Sequence, residues 1–119
     1  MRIVVVADAR GERDVLAFKL TAAGHNVVAA VATRKQADRA LLTHSPQIVV
    51  VVTPLRDGRG ADLAEPAGGA PIIAIADRDA PIGTEEADEY AYVLRQPFTT
   101  DELERVVRSM RLFVSAEEG

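Results

Sequence analysis

The stretch Ile48-Val49-Val50-Val51-Val52-Thr53-Pro54 decides the fold of this chain. Its first five residues are β-branched without a polar interruption, which is typical of a strand that is covered on both faces. Such strands occur in open parallel sheets, where ligands and catalytic groups gather at the carboxyl ends of the strands. The stretch ends without an acidic residue. We therefore expect a parallel α/β sheet in which this strand contributes no acid to the carboxyl edge.

The composition indicates one globular domain. The chain has 119 residues, of which 48% are hydrophobic and 27% are charged, and a domain of this size buries roughly two-thirds of the surface of its unfolded chain. Zero cysteines exclude disulfides, cysteine-ligated metals and thiol nucleophiles. A formal net charge of -4 favours a protein partner over direct nucleic-acid contact. No signal-peptide or membrane pattern is evident, so we expect a cytoplasmic protein that does not bind membranes.

Apolar runs of strand length alternate with segments of helical period, which predicts repeated βα units. The predicted strands cover residues 3–7, 27–31, 48–52, 71–76 and 91–95. Glycines and prolines limit the third helix to about two turns around 61–65, and the fourth helix, over 84–89, is short and acidic. Five strands with short or degenerate helices 3 and 4 are therefore expected.

Capping residues mark the ends of the longer helices. Thr33 with Gln36, and Thr99 with Glu102, have the spacing of a capping box, while Gly24 is suited to a helix C-cap. The last helix is expected to bury one face formed by Leu103, Val106, Val107, Met110 and Val114. The first helix is expected to place the following residues on one broad face: Val15, Leu16, Phe18, Leu20 and Ala23.

Short motifs at the strand ends add a family resemblance. They are Arg2-Ile3-Val4-Val5-Val6 before Ala7-Asp8-Ala9, His44-Ser45-Pro46-Gln47 before the third strand, Asp57-Gly58 after it, Pro71-Ile72-Ile73-Ala74-Ile75 in the fourth, and Gln96-Pro97-Phe98-Thr99 after the fifth. Together they resemble the CheY-like receiver domain of response regulators over nearly the whole chain. The resemblance implies a flavodoxin-like, doubly wound sheet of parallel strands in the order 2-1-3-4-5 and a cis peptide bond between Gln96 and Pro97.

The same resemblance implies a phosphorylation pocket that has lost its chemistry. Receiver domains hold Mg²⁺ with an acidic pair, phosphorylate an aspartate at the end of the third strand, and use a hydroxyl and a lysine to bind the phosphoryl group. The matching positions here are Ala7 and Asp8, Val52, Ala76 and Gln96. Asp8 alone is a poor Mg²⁺ site. We therefore predict an atypical pseudo-receiver without a phosphoacceptor aspartate, a metal or another cofactor.

Four neighbouring residues could replace the missing groups. Thr53 follows the acceptor position and Arg95 precedes Gln96, but strand alternation is expected to turn both side chains away from the pocket. Asp57 and Asp77 could join Asp8 in a weak cation site, although solvated loop acids are the simpler interpretation, with Asp57 opening a turn at Gly58. His25 and His44 are expected to be solvated or to complement helix dipoles.

The aromatic switch position of the family is Val93 here, and two tyrosines lie near it. Tyr90 and Tyr92 are expected to be partly exposed edge aromatics, suited to anchoring an interface. The resemblance implies a homodimer or partner interface on helix 4, strand 5 and helix 5. Its candidate residues are Tyr90, Tyr92, Arg105, Arg108 and Arg111.

The predicted function is non-enzymatic signalling in a two-component pathway, through protein contacts instead of phosphorylation. We predict the pseudo-receiver domain over residues 1–115 and a tail or the start of a linker over 116–119, and the family resemblance allows a fused DNA-binding output domain. Two alternatives stay open. One is a flavodoxin-like domain that binds a small ligand or acts as an enzyme, and the other is a receiver with residual phosphorylation at Asp8 or Asp57.

Overall fold

The computed structural model describes residues 1–110, in which five parallel strands form one sheet in the order β2-β1-β3-β4-β5. This confirms the predicted flavodoxin-like topology. The elements are β1 (Arg2–Val6), α1 (Arg10–Ala22), β2 (Asn26–Val31), α2 (Arg34–His44), β3 (Ile48–Val52), α3 (Ala64–Ala67), β4 (Ile72–Ala76), α4 (Thr84–Asp88), β5 (Tyr92–Arg95) and α5 (Thr100–Ser109). Within residues 1–110 no helix has the length and apolar character needed to cross a membrane.

The β3 strand is the centre of the core, as its sequence predicts. Ile48 and Val50 join the apolar cluster beneath α1 and α5, whereas Val49 and Val51 join the cluster beneath α2. All four side chains have no solvent exposure. Because successive side chains of a strand point to opposite faces, an uninterrupted run of β-branched residues supplies both halves of the core.

Local sequence signals fix the helix ends as predicted. The Thr33 and Thr99 hydroxyl oxygens accept the backbone N–H groups of Gln36 and Glu102, both at 3.1 Å. Gly24 has φ 95° beyond the end of α1, where a side chain would strain the backbone. The predicted short helices are also confirmed, since a 3₁₀ turn (Gly60–Leu63) leads into the four-residue α3, and α4 has five residues.

The broad apolar face expected on α1 is wrong. Leu16 and Leu20 are buried, but Val15 is 50% exposed and Phe18 is 74% exposed. Residues four apart lie on one side of a helix, so Leu16 and Leu20 share the face of α1 that packs on the sheet. Phe18 lies two residues from each of them and is on a different face. The buried face predicted for α5 is confirmed for Leu103, Val106, Val107 and Met110. Val114, Arg111 and the boundary at residue 115 lie outside the described residues.

Candidate functional site

The carboxyl edge of the sheet collects the residues that were predicted to form the pocket. The strands are in register there, with Val6 opposite Val51, Val52 opposite Ile75, and Ala76 opposite Arg95. Ala7 and Ala76 are 1% exposed, and Val52 is partly buried against the apolar cluster beneath α1 and α5. The strand ends therefore present hydrocarbon side chains at three neighbouring positions.

Asp8 provides a carboxylate at this edge, and its surroundings do not suit a magnesium ion. Its Oδ1 atom is buried and has no hydrogen-bond partner in the described part of the chain. Arg13 lies beside it, since its Nη1 atom donates to the carbonyl oxygens of Ala7 at 3.0 Å and Asp8 at 3.5 Å. Mg²⁺ prefers a near-octahedral set of oxygens that includes carboxylates. Across residues 1–110 no group of three or more histidine, cysteine or acidic side chains is placed to hold a metal, so the residues do not fit the ion that the family resemblance implies.

The other candidate acids, Asp57 and Asp77, do not form a three-carboxylate metal site with Asp8 in the described residues. The Asp57 carboxylate accepts the backbone N–H groups of Arg34 at 2.8 Å and Lys35 at 3.2 Å, at the first turn of α2. The hydrogen bond from Arg34 is the main cause of a lowered pKa at Asp57. Asp77 is exposed on the loop between β4 and α4. Asp57 thus has a capping role at α2 that the sequence interpretation missed.

Gln96, which the family resemblance matches to a lysine, contacts an acid of α1. Its Nε2 atom donates to Oε2 of Glu12 at 3.5 Å. Its peptide bond with Pro97 is cis, as predicted. A groove of about 670 Å³ runs beside this pair and is lined by Asp77 and Phe98 as well as by Glu12 and Gln96.

Arg95 fixes the loop between β4 and α4 (residues 77–83). Its Nη1 atom donates to the carbonyl oxygens of Asp77 at 3.0 Å, Arg78 at 3.4 Å and Ala80 at 2.7 Å. Its guanidinium is therefore bound to this loop and is not a substitute for the missing lysine. From the sequence, we considered Arg95 only as a replacement for the lysine. The carbonyl groups that it binds lie 15 to 18 residues away, so no local pattern indicates these hydrogen bonds.

Tyr90 is buried, so its prediction as an exposed interface aromatic is wrong. It is 7% exposed, and its hydroxyl donates to Oε2 of Glu86 at 2.7 Å. Burial raises the pKa of the phenol to about 12. Beneath the 3₁₀ turn, the Thr53 hydroxyl oxygen accepts the Gly60 N–H at 3.1 Å, and a Cβ on Gly60 would lie 2.9 Å from the Tyr90 hydroxyl. Tyr90 therefore contributes to the core and cannot anchor an interface in this conformation.

His25 is also buried, which contradicts the first of the two expectations for it, a solvated side chain. It is 7% exposed, and its Nε2 atom lies 3.0 Å from Oε1 of Glu104. Its Nδ1 atom lies 3.3 Å from the amino group of Met1. With a proton on Nε2 and none on Nδ1, the ring accepts from the ammonium and donates to the carboxylate. His25 links the start of β1 to α5, whereas His44 is exposed.

The predicted interface keeps part of its residue set. Tyr92 is 46% exposed, and Arg105 and Arg108 are exposed on α5. The Nε atom of Arg108 donates to Oε1 of Glu104 at 3.1 Å. Arg111 lies outside the described residues. The described face therefore combines one accessible aromatic ring with exposed guanidinium groups.

The sequence matches no family model and no curated protein, but the structure is similar to several solved receiver domains. A CheY-like receiver domain protein from Methanospirillum hungatei JF-1 has a TM-score of 0.83, with 17% identity and coverage of 97% of each chain. A CheY-like receiver domain from Methylobacillus flagellatus has a TM-score of 0.80 and 18% identity, over 92% of this chain and 98% of that one. The signal receiver domain of a modulated diguanylate cyclase from Desulfovibrio desulfuricans G20 has a TM-score of 0.81 and 23% identity, over 98% and 97% of the two chains. This chain has the receiver-domain fold.

The receiver fold shows where the residues that differ from the family pattern lie, but it does not by itself assign a function. Ala7, Val52 and Ala76 lie at the carboxyl edge where the family resemblance placed the phosphorylation chemistry. The sequence could identify these positions because Val52 and Ala76 end their strands and Ala7 directly follows one. It missed the Tyr90 contact with Glu86, for which the four-residue separation at the end of α4 was an available signal. The contact of His25 with Glu104, 79 residues apart, has no local signal.

Proposed function

We propose that this chain is a receiver-like signalling domain of a two-component response regulator that acts without phosphorylation. The observation that carries the proposal is the apolar end of β3 at Val52, which has no oxygen for a phosphoryl group and packs against the core. Ala7 removes one metal-binding carboxylate and Ala76 removes the phosphate-binding hydroxyl that the family uses. The proposed domain is cytoplasmic and has no enzymatic activity of its own.

The contacts around β4 and β5 support a single conformation that does not need a phosphoryl group. Arg95 already occupies three carbonyl oxygens of the loop after β4. Val93 replaces the aromatic residue that the family uses as its switch, and Tyr90 enters the core from a different position. The loop after β4 is thus held by Arg95, and the ring of Tyr90 is held by its burial and by Glu86.

We further propose that α4, β5 and α5 form the interaction surface, for a second copy or for another protein. The half-exposed ring of Tyr92 and the guanidinium of Arg105 are the proposed contacts. Aromatic and arginine side chains contribute most of the binding energy in many interfaces. Tyr90 is excluded from this surface by its burial.

The phosphorylation claim is tested by incubating the full chain with radiolabelled acetyl phosphate and Mg²⁺, beside a receiver domain that has an intact acceptor aspartate. We expect label in that control and none in this chain. Label that disappears in Asp8→Asn or in Asp57→Asn would instead establish residual phosphorylation at that residue. Label that survives both substitutions would contradict the proposal without supporting either residue.

The interaction surface is tested by light scattering after size-exclusion chromatography over a range of concentrations. Self-association that weakens in Tyr92→Ala and Arg105→Glu, but persists in Phe18→Ser, supports a dimer through this surface. Phe18 is the matched control because it is an exposed aromatic on α1. A strict monomer at every concentration contradicts the homodimer.

A further inference from the structure

The outer edge of β2 borders a groove that the proposed function does not use. β2 pairs with β1 and with no other described strand, so the backbone groups on its outer side are available for pairing. A groove of about 810 Å³ follows this edge between residues 29 and 32 and extends along α2. This volume lies within the range of ligand-binding clefts in proteins.

Basic side chains line this β2 edge groove from both faces of the sheet. Arg13 reaches it from α1, and Lys35, Arg39 and His44 reach it from α2. No acidic side chain is among the described residues that line it. Lys35 and Arg39 are exposed, and neither forms an ion pair within residues 1–110. The groove is therefore a local concentration of unpaired positive charge on a chain whose formal net charge is -4.

The backbone of β2 defines which part of the edge is open. The carbonyl oxygen of Val31 faces inward, since it accepts the Ala7 N–H at 3.0 Å. Backbone groups alternate in direction along a strand, so those of Ala30 point outward. The Ala32 N–H is already taken by Oε1 of Gln36 at 2.9 Å. The open segment therefore ends before Ala32, and the small side chains at Ala29 and Ala30 leave room beside it.

We propose that the β2 edge groove binds an extended acidic peptide of a partner protein, which adds to the sheet as a strand beside β2. Strand addition uses main-chain hydrogen bonds for affinity and side-chain pockets for specificity. A nucleic acid offers no strand to pair with the open backbone groups, and no phenylalanine, tyrosine or tryptophan side chain lines the described part of the groove for base stacking. The unpaired backbone edge and the positive charge together favour an acidic peptide.

The position of the cations sets the sequence preference of the peptide. Side chains of an added strand alternate between the two faces of the sheet. Those on one face meet Lys35 and Arg39 of α2, and those on the other meet Arg13 of α1. Because cations lie on both faces, the preferred peptide carries acidic residues that point to each face, and these occupy neighbouring as well as alternate positions. It also carries β-branched residues, which favour extended backbone.

The test begins with selection of displayed random octapeptides on the full chain. We expect enriched sequences with neighbouring acidic and β-branched residues. Fluorescence anisotropy with an enriched peptide then compares Lys35→Glu/Arg39→Glu with Lys19→Glu/Arg78→Glu, two doubly substituted variants of equal net charge; neither Lys19 nor Arg78 lines the β2 edge groove. We expect the first variant to bind at least about tenfold more weakly, equivalent to about 1.4 kcal/mol, and the second to bind like the wild type.

A peptide with N-methyl groups on alternate amides separates strand addition from simple charge attraction, because it keeps its carboxylates and loses donors. Two such peptides are possible, one methylated on the odd-numbered amides and one on the even-numbered amides. The one whose methyl groups block the amides facing β2 should no longer bind. Undiminished binding of both N-methylated forms overturns strand addition. A selection that enriches no peptide or only peptides without acids, or equal weakening by both charge-reversed variants, overturns the proposal as a whole.

Discussion

Gly60 allows the 3₁₀ turn to approach the end of β3 and the ring of Tyr90 closely. A Cβ at this position would lie 2.8 Å from Cγ1 of Val51 and 2.9 Å from the Tyr90 hydroxyl. Val51 is held inside a strand and Tyr90 is held by Glu86, so neither neighbour can move freely. Glycine is required at position 60 because there is no room for a Cβ atom.

Substituting Gly60 by alanine should therefore destabilise the domain by about 1–3 kcal/mol, the usual cost of overpacking a core. The free energy of unfolding in urea, followed by circular dichroism, measures the effect. Gly11→Ala is the matched control, because nothing lies within 4 Å of a Cβ at that position in α1. Equal stability of Gly60→Ala and the wild type would contradict the close packing of Tyr90.

Replacing Tyr90 by phenylalanine removes the hydroxyl that donates to Glu86 and should cost about 1 kcal/mol at neutral pH. The folded chain raises the pKa of Tyr90 from 10.0 to about 12. A raised pKa stabilises the fold below the unfolded value and loses this contribution as the pH rises through the folded value. Between pH 10 and about 12, wild-type stability should fall relative to Tyr90→Phe. Tyr92→Phe is the control, and an identical high-pH profile for wild type and Tyr90→Phe would refute the buried phenol.

At the scale of elements, the β5 strand controls the loop that follows β4. Arg95 is the last residue of β5, and its guanidinium binds carbonyl oxygens over residues 77–80. The loop is otherwise exposed at Asp77, Arg78 and Asp79. The conformation of an exposed loop thus depends on a side chain from the neighbouring strand.

Arg95→Met keeps much of the aliphatic side chain and removes these hydrogen bonds. Trypsin should then cleave after Arg78 about fivefold faster, which corresponds to about 1 kcal/mol of lost loop stabilisation when cleavage follows the open population. Mass spectrometry of the first fragments measures the rate at this bond. Arg105→Met is the control on α5, and an unchanged cleavage rate in Arg95→Met would show that other contacts hold the loop.

The sequence predicts the elements better than it predicts the contacts between them. The β-branched run of β3, the capping threonines at positions 33 and 99, and the buried face of α5 depend on local spacing, and all are found. The exposure of Phe18 and the burial of Tyr90 depend on how an element is rotated against its neighbours. The contacts of Arg95 and His25 depend on residues distant in the sequence, so no local pattern could predict them.

At the scale of the whole molecule, His25 connects the Met1 amino group to Glu104 on α5, and so joins the two ends of the described chain. Burial alone would raise the pKa of Glu104, but hydrogen bonds from His25 and Arg108 outweigh it and lower the pKa from 4.5. A lowered carboxyl pKa stabilises the fold above its unfolded value and loses this contribution as the pH falls. The cluster therefore contributes to acid sensitivity.

We expect the free energy of unfolding of the wild type to fall as the pH drops below about 4.5, and to fall less steeply in Glu104→Gln. Urea denaturation at a series of pH values measures both slopes. Glu85→Gln is the control, since Glu85 is exposed on α4. Parallel pH profiles for wild type and Glu104→Gln would contradict a stabilising carboxylate at this position.

The hydrogen bonds from Arg95 to the loop after β4 affect how a cell would regulate a protein that works as we propose. A domain whose active shape is set when it folds has no covalent on-state and no off-state to be restored by hydrolysis. Its output then follows the number of copies present. Transcription, translation and proteolysis would take over the control that kinases and phosphatases exert elsewhere, and signal duration would equal protein lifetime.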